Sequence, residues 1–145
     1  MTELAAALCA KAALAAALAA RAAIARLGEA PPPPLDRIAG WRPLSNVIAL
    51  HAGDVFFGNV GAAPRLDFTV IGPAVNTASR VEAMAKALSR TIVLTEPVAR
   101  LLDAPLELLG EHALRGVDAP VRLYAPAEGR GDGRASRDSA PCPRA

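Results

Sequence analysis

The spacing of apolar residues changes from extended to helical between residues 46 and 88. Apolar runs at residues 47–50, 55–57 and 68–71, each bounded by polar residues or glycine, are typical of β-strands. The GNVG segment at residues 58–61 predicts a hairpin turn between the second and third strands. A helix is predicted from Pro73, because proline is tolerated in a first helical turn. Its predicted buried face consists of Val75, Ala78, Val81, Met84, Ala85 and Leu88.

The remaining elements follow from shorter patterns of the same kind. A β-branched, apolar stretch at residues 91–95 predicts a strand. Residues 96–102, with a proline in the first turn, predict a short helix. Two closing strands are predicted at residues 106–114 and 121–124, joined by a turn at 115–120.

An alanine-rich helix is predicted for residues 2–27, with Thr2 as its cap and Gly28 at its end. Its length and apolar content also fit a membrane span or a signal peptide. Lys11 lies in the middle of the stretch, and a central charge costs at least ~2.5 kcal/mol in a bilayer. We therefore predict a packing helix of a soluble protein rather than a membrane span. Its packing face is predicted to contain Leu4, Leu8, Leu14 and Leu18.

The chain is predicted to have four parts. Residues 1–28 form the alanine-rich helix, and residues 29–45 form a proline-rich linker that contains four consecutive prolines. Residues 46–126 form the main folded part. The last part, residues 127–145, has no apolar periodicity and is predicted to be a disordered tail.

Composition excludes several classes of protein. The 145 residues are 52% hydrophobic but only 3% aromatic, which is enough apolar content for one globular domain. A net charge of +2 does not indicate a nucleic-acid partner. Cys9 and Cys142 are too few and too far apart to predict a disulfide framework, and a cytoplasmic location is predicted.

Two polar residues of the predicted helix are candidates for binding an anion. Asn76 and Arg80 are four positions apart, and therefore lie one turn apart on the same side. Both lie in the first two turns, where free N–H groups and the helix dipole favour negative charge. An amide and a guanidinium together could hold a phosphate. The spacing alone better fits the alternative, an asparagine near a helix start and an arginine in solvent.

The segments HAGDVFFGNVG and RLDFTVIGPAVNTASRVE, with LGEHALRGVDAPVRLYAP further on, resemble the class III nucleotide cyclase domain of adenylate and guanylate cyclases. Together these segments cover residues 46–126. The resemblance implies an α/β fold, an α+β sandwich of ferredoxin-like topology, of which the chain carries about the second half. The fold is thus expected to be N-terminally truncated, and its sheet to lack the first strands.

The resemblance also implies roles for three residues. Asn76 and Arg80 match the residues that orient the ribose and stabilise the phosphoryl transition state. Thr69 matches the position that recognises the purine, and favours ATP over GTP. One departure is Pro73, where many members of the family have Asp or Asn.

The family uses two divalent ions, Mg²⁺ or Mn²⁺, held by two aspartates in the motifs F-x-D-[IL]-x-[GA]-F and G-D-x-x-x-A-x-F. Neither motif occurs in the 145 residues. The resemblance places Asp54 and Asp67 at structural positions, and neither His51 nor His112 has the spacing of a metal ligand. We therefore assign no metal ligand, and expect negligible cyclase activity from the chain alone.

Two functions remain open at this stage. The chain is either part of an adenylate cyclase, which forms 3′,5′-cyclic AMP and pyrophosphate, or a non-catalytic dimerisation partner. Active sites of the family form between two subunits, so the expected partner is a second copy or a complete cyclase. Whether the chain is itself an enzyme is left undecided by the sequence.

Overall fold

The computed structural model describes residues 2–60 and 67–127, and contains three α-helices and six β-strands within those ranges. The helices are α1 (Glu3–Glu29), α2 (Pro73–Ala87) and α3 (Glu96–Ala99). The strands are β1 (Ile48–Leu50), β2 (Phe56–Val60), β3 (Asp67–Ile71), β4 (Ile92–Thr95), β5 (Leu106–His112) and β6 (Val121–Pro126).

Four of the strands form the main sheet, in the order β1–β4–β6–β5. β1 runs parallel to β4, and the other two pairs are antiparallel. β2 and β3 form a separate antiparallel hairpin, in which Gly58 lies opposite Thr69. Within the described residues β1 is therefore an edge strand of the main sheet.

Helices cover both faces of the main sheet, because alternate residues of a strand point to opposite sides. On β4, Val93 packs in a cluster with Val81 and Ala85 of α2. The next residue, Leu94, packs in a second cluster with Leu14 of α1 and Val98 of α3. The molecule is thus an α/β sandwich with α2 on one face and α1 and α3 on the other, which confirms the predicted fold class.

α1 packs on the sheet through only part of the predicted face, because Leu14 is buried in the core and Leu18 packs against the same cluster. Its buried residues are Ala10, Leu14 and Ala17, whereas Leu4 and Leu8 are exposed. The prediction that Leu4 and Leu8 face the core was wrong. Small alanines let the helix approach the sheet along their own stripe, and this turns the two leucines outward.

The end predicted for α1 at Gly28 was also wrong. The helix continues through Gly28 to Glu29, and Ala30 leaves the helical region with φ −136° and ψ 80°. Ala30 precedes Pro31, and a residue before proline is disfavoured in the helical region. Proline rather than glycine therefore ends this helix.

α1 is the described helix that is long and apolar enough to cross a membrane, judged by length and composition only. Core helices of soluble proteins and signal sequences meet the same criterion. The contacts of Ala10 and Leu14 with the sheet agree with the predicted packing helix.

The hairpin differs from the prediction in where it turns. Residues 58–60 belong to β2 and pair with residues 67–69 of β3, so the predicted turn at residues 58–61 was wrong for these three residues. The connection lies in residues 61–66, outside the described residues.

Most other boundaries agree within two or three residues. α2 begins at Pro73 as predicted, and α3 is shorter than predicted, ending at Ala99. Val75 is 38% exposed, so its assignment to the buried face of α2 was wrong. The buried face instead follows Ala74, Val81 and Ala85. The predicted four-part division stays a prediction, and its tail lies outside the described residues beyond Ala127.

Candidate functional site

The site is built at the junction between β3 and α2. Gly72 joins them with φ 141°, a conformation that side chains rarely adopt. A Cβ on Gly72 would lie 3.2 Å from the Asp54 carbonyl oxygen and 3.5 Å from the Val55 Cα. This close approach lets α2 start directly after the strand, with Pro73 in its first turn.

Asn76 and Arg80 lie one turn apart on α2, as the spacing predicts. The Asn76 backbone N–H donates to the Gly72 carbonyl over 3.3 Å, which places Asn76 in the first full turn. Its side chain is exposed, and that of Arg80 is half-buried. The buried stripe with Val81 turns toward the sheet, so the two polar residues remain on an accessible flank.

Arg80 reaches across to the connection between β5 and β6. Its Nη1 donates a hydrogen bond to the Arg115 carbonyl oxygen. A cavity of ≈ 370 Å³ lies beside the guanidinium, lined mainly by alanine and methionine side chains of α2 and by residues 113–115. One guanidinium nitrogen is thus used inside the protein, and the other N–H groups of the planar fork remain as donors.

Thr69 lies on the hairpin rather than on the helix. It is a half-buried residue of β3, opposite Gly58. The structure therefore brings Asn76 and Arg80 together, and keeps Thr69 on the strand that leads into α2 through Gly72.

The residues present do not fit a pair of divalent ions. Among residues 2–60 and 67–127, no group of three or more His, Cys, Asp or Glu side chains is arranged to hold a metal ion. Asp54 is exposed, and the Asp67 side chain is not described. Nε2 of His112 lies 3.2 Å from the Leu109 carbonyl oxygen, and Nδ1 of His51 is hydrogen-bonded with the Thr95 hydroxyl. We derive no step through a metal ion from these residues.

Sequence reasoning missed the Arg115 carbonyl and Gly116 as neighbours of Arg80. A backbone carbonyl has no sequence signature of its own. The one available signal was the glycine in the L-R-G segment, since Gly116 has φ 69°.

The sequence matches the family model of the adenylate and guanylate cyclase catalytic domain over residues 5–125. The chain belongs to this family. The match includes the hairpin, α2 and nearly all of α1 and of the main sheet, so the chain carries the family pattern through nearly all of its described residues.

Relatives of the cyclase chain come from several bacteria. It is 40% identical over 82 residues to an adenylate cyclase of Anabaena cylindrica, a match over 53% of this chain and 16% of that protein. It is 42% identical over 86 residues to an uncharacterized protein of Mycobacterium tuberculosis, over 54% of this chain and 15% of that protein. The cyclase chain thus spans about a sixth of the length of these relatives.

Solved structures of adenylyl cyclases overlap with about half of the chain. A bacterial light-regulated adenylyl cyclase is 30% identical, with a TM-score of 0.45, over 52% of this chain and 22% of that chain. The adenylyl cyclase CyaB from P. aeruginosa is 31% identical, with a TM-score of 0.45, over 52% of this chain and 39% of that chain.

Proposed function

We propose that the chain supplies the nucleotide-orienting part of an adenylate cyclase active site, in which ATP becomes 3′,5′-cyclic AMP and pyrophosphate. The observation that carries this proposal is the pair Asn76 and Arg80 on the accessible flank of α2, in a chain of the cyclase family. Phosphoryl chemistry is catalysed mainly by positioning and electrostatic stabilisation, which amide and guanidinium groups provide.

Each of the three residues has a defined role in the proposal. The guanidinium of Arg80 stabilises the negative charge that develops on the phosphate as pyrophosphate leaves. The Asn76 amide donates to and accepts from the ribose, and so holds the attacking 3′-oxygen in line. Thr69 accepts a hydrogen bond from the adenine amino group, which favours ATP over GTP.

The carboxylates for the family's Mg²⁺ or Mn²⁺ ions have to come from another segment or another subunit. Two surfaces support a partner. The β1 edge is open within the described residues, and an unpaired strand edge readily binds another strand. The hairpin also exposes Phe56, Phe57, Phe68 and Ile71, each more than half exposed, and exposed apolar patches of this kind mark interfaces.

A complementation assay tests the proposal. The Anabaena cylindrica adenylate cyclase, carrying alanine at the positions aligned with Asn76 and Arg80, is mixed with the 145-residue chain, ATP and Mn²⁺. We expect cyclic AMP from the mixture and negligible product from the chain alone. Arg80→Ala should lower the rate by at least about 100-fold. Lys86→Ala, a change of an exposed cation on the same helix, is the matched control.

Two results would contradict the proposal. Equal rates with the Arg80→Ala and Lys86→Ala chains would show that Arg80 takes no part. Robust cyclic AMP formation by the purified chain alone would show that no partner is required. Replacing ATP by GTP in the same assay tests the preference assigned to Thr69, and a faster reaction with GTP would reverse that assignment.

The second candidate function is a non-catalytic dimerisation module that works in the cytoplasm with a complete cyclase. The exposed apolar hairpin favours it, because binding through β2 and β3 needs neither Asn76 nor Arg80. Complex formation by an Asn76→Ala, Arg80→Ala double variant, with no change in the activity of the complete cyclase, would favour this candidate over the first.

A further inference from the structure

The connection between β5 and β6 forms a tight turn directly against the guanidinium of Arg80. The turn covers residues 114–117 and is closed by the Val117 N–H, which donates to the Leu114 carbonyl over 3.0 Å. Within it, the Arg115 carbonyl accepts the hydrogen bond from Arg80 Nη1. Arg80 and Arg115 are 35 positions apart along the chain, so only the tertiary structure joins them.

The turn is fixed to the same helix that carries Arg80. Leu114 is only 5% exposed and belongs to the core cluster of Val81 and Ala85, both on α2. Val117 packs against the same cluster. Because both ends of the turn are anchored, the carbonyl between them has a fixed place relative to the helix.

Gly116 lets the chain turn so sharply. Its φ of 69° lies in the left-handed region, which glycine adopts freely, asparagine tolerates and β-branched residues avoid. A Cβ built on Gly116 would lie 3.5 to 3.7 Å from Nη2, Nη1 and Cζ of Arg80. A side chain at position 116 would therefore contact the guanidinium directly.

We propose that the turn of residues 114–117 positions Arg80 for its reaction, through the Arg115 carbonyl and the left-handed backbone of Gly116. This inference rests on the function proposed for Arg80. The turn does not touch the substrate in this proposal, so Arg115 and Gly116 act as positioning residues through their backbones. One N–H of the Arg80 guanidinium is held by the Arg115 carbonyl, and this fixes the position of the remaining N–H donors.

A guanidinium that is already held in place loses less side-chain conformational entropy when it binds the phosphate. Immobilising a rotamer-rich side chain on binding lowers affinity by a factor of about 3 to 10. Losing the turn should therefore reduce the rate of the complemented cyclase by about that factor, with little change in KM, if Arg80 acts mainly in the transition state.

Three variants separate positioning from general destabilisation. Gly116→Val places a β-branched residue at φ 69° and should displace the turn. Gly116→Asn should preserve it, because asparagine tolerates the left-handed region. Gly40→Val is the matched control. Gly40 also has a left-handed φ, 79°, but no atom lies within 4 Å of a Cβ built there, so the valine adds the same backbone strain without touching Arg80.

The direct measurement is the ¹⁵N–¹H spectrum of the arginine Nη groups, with the Arg80 signals assigned from an Arg80→Lys chain. We expect resolved, slowly rotating Nη groups of Arg80 in the unmodified, Gly116→Asn and Gly40→Val chains. In Gly116→Val these signals should average. Averaged Arg80 signals in the unmodified chain, or identical signals in both valine variants, would overturn the proposal.

The complementation assay gives the second readout. We expect a rate loss of about 3- to 10-fold for Gly116→Val and no more than a twofold change for Gly116→Asn and Gly40→Val. Equal losses in both valine variants would contradict positioning. If Arg80→Ala leaves the rate unchanged while the spectra respond to Gly116→Val, the proposed function fails and the contact between the turn and Arg80 still stands.

Discussion

His51 Nδ1 lies 2.8 Å from the hydroxyl oxygen of Thr95. His51 follows β1, and Thr95 is the last residue of β4, so the contact joins the ends of the two parallel strands. Thr95 is fully buried, and no other polar residue among the described residues is buried. The contact satisfies a hydroxyl that water cannot reach.

Thr95→Val should lower the stability of the domain. Valine fills almost the same volume, but it leaves His51 Nδ1 without its partner. The expected loss in the free energy of unfolding is about 1 kcal/mol, because His51 is only half-buried and water can replace part of the contact. Urea unfolding followed by circular dichroism measures this loss, and an unchanged midpoint would contradict it.

The His51 contact should also make stability depend on pH. Burial lowers the pKa of His51 below its ordinary value of 6.5. Below pH 6.5 the unfolded chain then binds more protons at this residue than the folded chain does, so the contribution of neutral His51 is present above pH 6.5 and is lost as the pH falls toward the lowered pKa. Unfolding free energies measured from pH 7.5 to 5.5 should decrease.

The matched variants for the pH experiment are His51→Gln and His112→Gln. Removing His51 should flatten the decrease, whereas the His112→Gln chain keeps His51 and therefore keeps its part of the slope. The same slope in the His51→Gln chain as in the unmodified chain would rule out His51 as its source.

Leu123 is predicted to be a main source of stability. Its side chain is fully buried in the cluster between the sheet and α2. Leu123→Ala should lower the free energy of unfolding by about 2–5 kcal/mol, through lost burial and the cavity left behind. Leu108→Ala is the control, because Leu108 is 58% exposed on β5 and should change stability by less than about 0.5 kcal/mol.

The hairpin is predicted to mediate association. The rings of Phe57 and Phe68 stack with centroids 5.6 Å apart, yet both side chains are about 70% exposed. Phe57→Asp should therefore reduce self-association, or binding to a complete cyclase, measured by sedimentation. Leu108→Asp introduces the same charge at an exposed leucine on the main sheet. Equal effects of the two changes would show that the hairpin is not the contact surface.

Local sequence patterns predicted the structure correctly where the residues themselves restrict the backbone conformation, as proline and β-branched residues do. The start of α2 at Pro73 agreed with the structure, and so did a strand in the β-branched stretch around Val93. Patterns failed where tertiary contacts decide. In sequence Gly28 resembles a helix end and Gly58 a turn, but Gly28 lies within α1 and Gly58 pairs within β2.

Burial along the helices shows the same limit. Leucine outranks alanine in any hydrophobic pattern, and this predicted Leu4 and Leu8 in the core. In the structure Ala10 packs with Leu94 of the sheet and Ala17 is buried, because small side chains allow the helix to approach closely. Val75 is likewise exposed beside Asn76, since the buried stripe of α2 is set by its contact with β4.

The sequence by itself determined the family, the α/β class and the placement of Asn76 and Arg80 one turn apart, because motifs and helical spacing are local properties. Only the tertiary structure decided that Arg80 meets the Arg115 carbonyl, that Gly116 lies beside its guanidinium and that β1 is an edge of the main sheet within the described residues. These contacts join residues far apart in the chain, and they depend on how α2 and the last hairpin pack over one shared core.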